Sequence, residues 1–185
     1  MLFRSTYGDG ADSPPAESYP WWLQDMVDLE VVNSGESGNT SGDALARVQE
    51  EVLDHTPVIV IVELGANDYL NGLDPESTRD NLEDIINSCR ASGAVVFLCR
   101  FFSDEMADEY SQADPDGVQT LITMYASLAD RERVFLIEDI WGDIRETPGL
   151  MYDAAHPNAD GYHVMAQRIF EAMREILEYN DIALP

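Results

Sequence analysis

Apolar residues along this chain follow two kinds of pattern. Residues 58–64, bounded by Pro57 and Gly65, and residues 94–99, which follow Gly93, are nearly continuous aliphatic runs. Such runs predict short strands buried on both faces of a parallel sheet. Residues 29–33 and 134–137 predict two further strands, and Met1-Leu2-Phe3 predicts the stub of a first one. Elsewhere the apolar positions recur at helical spacing. That spacing predicts helices over 19–28 (Trp21, Leu23, Met26 and Val27 inward), over 77–92 (Leu82, Ile85, Ile86 and Cys89) and over 118–129. It also predicts a helix capped by Thr40 or Ser41 with Leu45, Val48 and Val52 inward, and a last one over 159–179 burying Val164, Ile169, Phe170, Met173 and Leu177. Strands alternating with helices imply right-handed crossovers and a three-layer α/β/α sandwich around a mainly parallel sheet. At 185 residues, with no repeat or linker, the chain is expected to form one domain over 1–185.

In an open α/β sheet, ligands bind beyond the carboxyl ends of the strands, so the strand exits are where chemistry is expected. The strand over 58–64 leaves into Gly65-Ala66-Asn67-Asp68, which taken alone also reads as an ordinary Asn/Asp-capped turn. Before the last helix lies Asp153-Ala154-Ala155-His156-Pro157-Asn158-Ala159-Asp160-Gly161-Tyr162. A buried Asp accepting from one ring nitrogen of His156 leaves the other nitrogen to act as a base. A Gly-rich stretch at 34–38 lets the backbone approach a ligand closely, so that an amide there can stabilise an oxyanion. Asp68 is expected to brace its loop. The exit of the strand over 94–99, Arg100-Phe101-Phe102 and the acidic residues as far as Gly117, is read as a loop that sets specificity. Its aromatic pair suits an acyl chain or an aromatic ester, or equally a packed corner.

Three blocks in order, Asn33-Ser34-Gly35-Glu36-Ser37-Gly38-Asn39-Thr40-Ser41, Gly65-Ala66-Asn67-Asp68 and Asp153-x-x-His156-Pro157-Asn158-x-x-Gly161-Tyr162, resemble the SGNH hydrolase (GDSL esterase/lipase) family. The resemblance covers nearly the whole chain. It implies a flavodoxin-like α/β fold and acyl transfer from an ester to water, with a catalytic Ser-His-Asp triad and an oxyanion hole. His156 and Asp153 match the triad's base and acid, and Gly38 and Asn67 match the oxyanion donors. The first block is altered or truncated: the family opens with a full strand and Gly-Asp-Ser-(Leu or Ile)-Thr-x-Gly, where this chain has Arg4-Ser5-Thr6-Tyr7-Gly8. Aligned without a gap, Arg4 takes the nucleophile position; with one residue deleted, Ser5 does, and Ser5 is the expected nucleophile. The implied activity is that of a serine esterase on carboxylic esters or thioesters. Two other readings use the same residues. One is a catalytically impaired ligand-binding protein of the same fold, and the other is a metal-dependent hydrolase built on Asp153, His156 and other carboxylates. His55 and His163 lack metal-ligand spacing, so neither a metal nor any other cofactor is called for.

Charge narrows the partners. Against 36 acidic residues stand 10 basic ones, all Arg, for a formal net charge of −26. Such a surface repels nucleic acid and anionic membranes, leaving a small-molecule ester as the expected partner. So short a first strand leaves a sheet flank that suits pairing with a second copy, a homodimer. Cys89 and Cys99 have apolar neighbours and read as free core thiols. No run of eighteen apolar residues and no signal-peptide pattern is recognisable, so the cytoplasm is the expected location. Self-repulsion of this size is screened by salt. The urea or thermal midpoint is therefore expected to rise from dilute buffer to molar KCl, and equal midpoints would show that the acidic surface is not an adaptation to salt.

Overall fold

A computed structural model of the chain describes residues 2–4, as backbone, and residues 18–179. Among the described residues the sheet has four strands, all parallel, in the spatial order β1 (Leu2–Arg4), β2 (Ile59–Glu63), β3 (Val95–Cys99) and β4 (Phe135–Ile137). Register runs Arg4 beside Glu63, Glu63 beside Cys99, and Cys99 beside Ile137, so all four carboxyl ends share one edge. All five residues of β2 are buried. This is why residues 59–62 are all apolar, with the buried Glu63 only at the exit: side chains on both faces of β2 meet a helical layer, and full burial of one apolar side chain contributes about 1.5–3 kcal/mol.

Helices cover both faces. On one side α1 (Tyr19–Gln24) packs against α7 (Ala159–Tyr179); on the other, α4 (Pro75–Ala91) packs between α2 (Ser41–Glu51) and α6 (Pro115–Glu132). The architecture is thus the expected α/β sandwich. Leu82, Ile85, Ile86 and Cys89 of α4 are fully buried, and α7 spans the expected residues with Ile169, Met173 and Leu177 inward. Thr40 caps α2 in a reciprocal box: Asp43 accepts from the Thr40 amide at 2.9 Å, and Thr40 Oγ1 accepts from the Asp43 amide at 3.3 Å. Cys89 and Cys99 are buried free thiols, and burial pushes the Cys89 thiol up to about 11.

Four expectations need correction. Residues 29–33 form no strand, and only Asn33 makes a single bridge. Gln24 supplies part of the reason, because its side chain donates to Leu29 O at 2.9 Å and accepts from the Val31 amide at 2.8 Å, taking backbone groups a ladder would use. The first helix ends at Gln24 and not at 28, and it turns Tyr19 and Leu23 inward while Trp21 is exposed. The acidic stretch after β3 is a helix, α5 (Asp104–Ser111), capped by Ser103 accepting from the Met106 amide at 3.2 Å. Residues 66–70, read as turn and loop, form a short helix, α3 (Ala66–Leu70). The ring of His163 stacks on Trp22 at 4.3 Å and joins α7 to α1.

Candidate active site

The exit of β2 is built for close packing. Gly65 has φ +110°, and a Cβ there would lie 2.2 Å from Tyr125 Oη, which donates to Leu64 O at 2.5 Å. Only glycine fits both the backbone angle and the space. The turn releases the chain directly into α3, so Asn67 and Asp68 emerge at the carboxyl edge of the sheet.

Asp68 braces this exit. It is 2% exposed and accepts three hydrogen bonds: from the Ser41 amide at 2.8 Å, from Ser41 Oγ at 2.5 Å and from Thr78 Oγ1 at 3.2 Å. One carboxylate thereby ties α3 to the first turn of α2 and to α4. Asp68→Ala is expected to cost about 2–4 kcal/mol, because it strands buried donors that had a charged acceptor. Urea denaturation measures this, and an unchanged midpoint would remove Asp68 from the loop's support.

Asn67 makes a second tie. Its Nδ2 donates to Asn39 O at 2.9 Å, which joins the β2 exit to the Gly-rich loop before α2. In that loop Gly38 sits at φ +82° and is exposed, with no hydrogen bond to its amide among the described residues.

The third component is a hairpin-like loop between β4 and α7, closed by an antiparallel bridge between Met151 and Pro157. Asn158 fixes its end: Oδ1 accepts from the Gly161 amide at 3.1 Å, capping α7, and Nδ2 donates to Gly149 O at 2.6 Å. Within the loop, Asp153 Oδ1 accepts from the amides of Ala155 (2.8 Å) and His156 (2.7 Å). Both of its oxygens lie against His156 Nδ1, at 2.9 and 2.8 Å. The hydrogen bond from His156 is the main reason the Asp153 carboxyl is held below its ordinary value, with the two backbone amides adding to it. Asp153 was expected to be buried and is not: its side chain is 46% exposed, against 27% for His156. A three-residue spacing brings carboxylate and imidazole together, but the loop stands at the rim, so solvent reaches the carboxylate.

His156 faces a pocket of ≈ 90 Å³ that it shares with Ala66 and Tyr69 of α3, Phe101 after β3, Tyr110 of α5 and Trp141. Glu63, at the last position of β2, also lines it and is 3% exposed. The aromatic pair divides its duties. Phe101 lines the pocket, while Phe102 is a packed corner beneath the Arg100 guanidinium, 4.9 Å from its centroid. Trp141 Nε1 donates to Phe101 O at 2.9 Å and holds the pocket wall.

The structure therefore brings the loops of Gly38, Asn67, Asp153 and His156 to one edge of the sheet. Ser5, the expected nucleophile, lies outside the described residues. Glu63, Tyr110 and Trp141 were not singled out from sequence. The Ser103-Asp104-Glu105 start, a cap followed by acids, was the available signal for the helix carrying Tyr110. Among the described residues no group of three or more His, Cys, Asp or Glu side chains is placed to hold a metal ion, and no helix is long and apolar enough to cross a membrane.

Residues 5–164 match the sequence model of the GDSL-like lipase/acylhydrolase family. The chain belongs to that family. Its members are ester-hydrolysing enzymes, and this chain is one of them. Among curated relatives of this acylhydrolase, an arylesterase of Vibrio mimicus is 29% identical over 182 residues, covering 94% of this chain and 86% of the relative. The thioesterase 1/protease 1/lysophospholipase L1 of Escherichia coli is 28% identical over 183 residues, covering 97% and 85%. Among solved structures, the psychrotrophic esterase EstA of Pseudoalteromonas sp. superposes with a TM-score of 0.83 at 22% identity, over 96% of this chain and 97% of that one. A crystal structure of TesA gives 0.80 at 24% identity, over 95% and 99%. At those identities the likeness of structure bears on the fold.

Proposed function

We propose that this acylhydrolase is a serine esterase that hydrolyses carboxylic esters or thioesters through Ser5, His156 and Asp153, with an oxyanion hole supplied by Gly38 and Asn67. The observation that carries the reading is the two-oxygen contact of Asp153 with His156 Nδ1, on a loop whose imidazole faces a pocket shared with the Asn67-bearing helix. With Nδ1 protonated toward the carboxylate, Nε2 is the basic nitrogen. It takes the serine proton as Oγ attacks the ester carbonyl. The tetrahedral intermediate puts negative charge on the former carbonyl oxygen, where the Gly38 amide and the Asn67 side-chain amide stabilise it. Collapse breaks the bond to the alcohol or thiol, which receives its proton from His156. Water then repeats the sequence on the acyl-serine and frees the acid.

Support for Ser5 comes from two sides. Arg4 is the last residue of β1, in register with Glu63 at the end of β2, and Ser5 follows it in sequence. The family match also begins at residue 5. The curated relatives' names support both oxygen and sulfur esters as substrates. The pocket's mainly apolar lining, with Ala66, Tyr69, Phe101, Met106 and Trp141, suits an acyl chain.

A fluorophosphonate probe followed by peptide mapping tests the nucleophile. The adduct is expected on Ser5. An adduct on another serine would move the nucleophile, and folded protein that takes no adduct would favour the ligand-binding reading that the altered first block allows. Release of p-nitrophenol from a short-chain ester, unchanged by chelator, is the matching turnover result.

A further inference from the structure

We infer that Arg47 is a positioning residue for the oxyanion site, holding the Gly38 loop from both sides so that its amide and the Asn67 side chain converge. The inference rests on the esterase reading above. Arg47 lies on α2, where its pairing with Glu51 one turn on would ordinarily be an exposed ion pair contributing a few tenths of a kcal/mol. Here the Arg47 side chain is only 14% exposed and does more than pair. Its Nε donates to Asn39 Oδ1 at 3.0 Å, and its Nη1 donates to Ser34 O at 2.8 Å. Ser34 and Asn39 bracket the turn that contains Gly38.

Each anchor is itself tied to the site or to the scaffold. Ser34 is buried, and its hydroxyl donates to Glu51 O at 2.7 Å, pinning the loop's start to the end of α2. The carbonyl of Asn39 accepts from Asn67 Nδ2. One guanidinium thus fixes both flanks of Gly38 and, through Asn39, the plane of the Asn67 amide. The geometry needs a rigid planar donor reaching two acceptors at once, which arginine supplies and lysine, a point charge on a flexible stem, does not. Oxyanion donors act through placement, and a shift of about 1 Å can cost up to about 10² in rate.

Arg47→Lys in the full chain keeps the charge beside Glu51 and loses the fork. It is expected to lower kcat on p-nitrophenyl butyrate about tenfold while KM stays within about twofold, because the donors serve the transition state. Asn39→Ala, which leaves Arg47, Ser34 and Glu51 in place, should reproduce the loss. Asn39→Asp retains the acceptor and should restore kcat to within about threefold of wild type. In an Asn67→Ala background Arg47→Lys should cost markedly less than in wild type, since coupled residues are not additive. The backbone amide resonance of Gly38 should shift in Arg47→Lys whether or not ester is turned over. Folded Arg47→Lys with wild-type kcat, a rise in KM alone, additivity with Asn67→Ala, or an unmoved Gly38 resonance would each overturn the inference. Wild-type protein that hydrolyses no ester while the Gly38 resonance still moves would instead sink the esterase reading and leave Arg47's hold on the loop standing.

Discussion

His156→Ala is expected to abolish measurable ester hydrolysis while leaving the protein folded. The bonds that shape this loop are made by the backbone of residue 156: its carbonyl accepts from the Tyr152 amide at 2.8 Å and its amide donates to Asp153 Oδ1 at 2.7 Å. Alanine keeps both. What it removes is the imidazole that faces the pocket, so the loss falls on chemistry and the thermal midpoint should barely move. Asp153→Asn refines the test. The side-chain oxygen of asparagine still accepts from the amides of Ala155 and His156, so the loop survives, but its NH₂ group now faces Nδ1. That contact favours the tautomer with the proton on Nε2, which cannot take a proton from serine. A loss of up to about 10⁴ in kcat is expected, the size seen when this tautomer is disrupted in a well-studied triad. Solvent access to Asp153 does not soften the argument, because the tautomer is set by the facing group. If ester hydrolysis survives both substitutions in folded protein, the base lies elsewhere.

Much of this was legible from residue pattern, and most exceptions share a cause. The runs at 58–64 and 94–99 needed no context, since continuous apolar residues between Pro or Gly have few other homes. Thr40 followed by Asp43 declared a helix start in sequence, and so did Asn158 before α7. Failures came where a distant side chain decides. Residues 29–33 look like a strand until Gln24 takes their backbone groups. The acid-rich stretch 104–111 is a different case: its Ser103 cap and first-turn acids are a local helix signal, and its own Met106 and Ala107 form the buried face. Asp-x-x-His establishes that the pair can meet, but its exposure depends on where the loop stands relative to the sheet edge. Arg47 with Glu51 four residues on is the signature of an ordinary solvent-face pair. Only the fold shows Ser34 and Asn39 returning to the same guanidinium.

Asn67→Ala is expected to lower kcat by about 10² to 10³, the usual loss for one oxyanion donor, with KM nearly unchanged. The asymmetry between the constants is the informative part. A donor aimed at the tetrahedral oxyanion contributes more as the carbonyl oxygen gains charge than it does in the ground state, so its removal raises the barrier without loosening the complex. The structure adds a second loss in the same direction, because Asn67 Nδ2 also holds Asn39 O and with it the loop of Gly38. On the proposed oxyanion hole, removing one amide would slacken the other donor's loop too, which places the expected loss toward the upper end of that range. Asn67→Asp sharpens the case. It is nearly isosteric, yet it sets a carboxylate where negative charge must develop, in a chain whose net charge is already −26. Its kcat should fall below that of Asn67→Ala. Steady-state kinetics of the two variants on one short-chain ester decide the point: a raised KM at unchanged kcat would make Asn67 a substrate-binding residue, and an aspartate variant faster than the alanine one would mean that no oxyanion forms beside it.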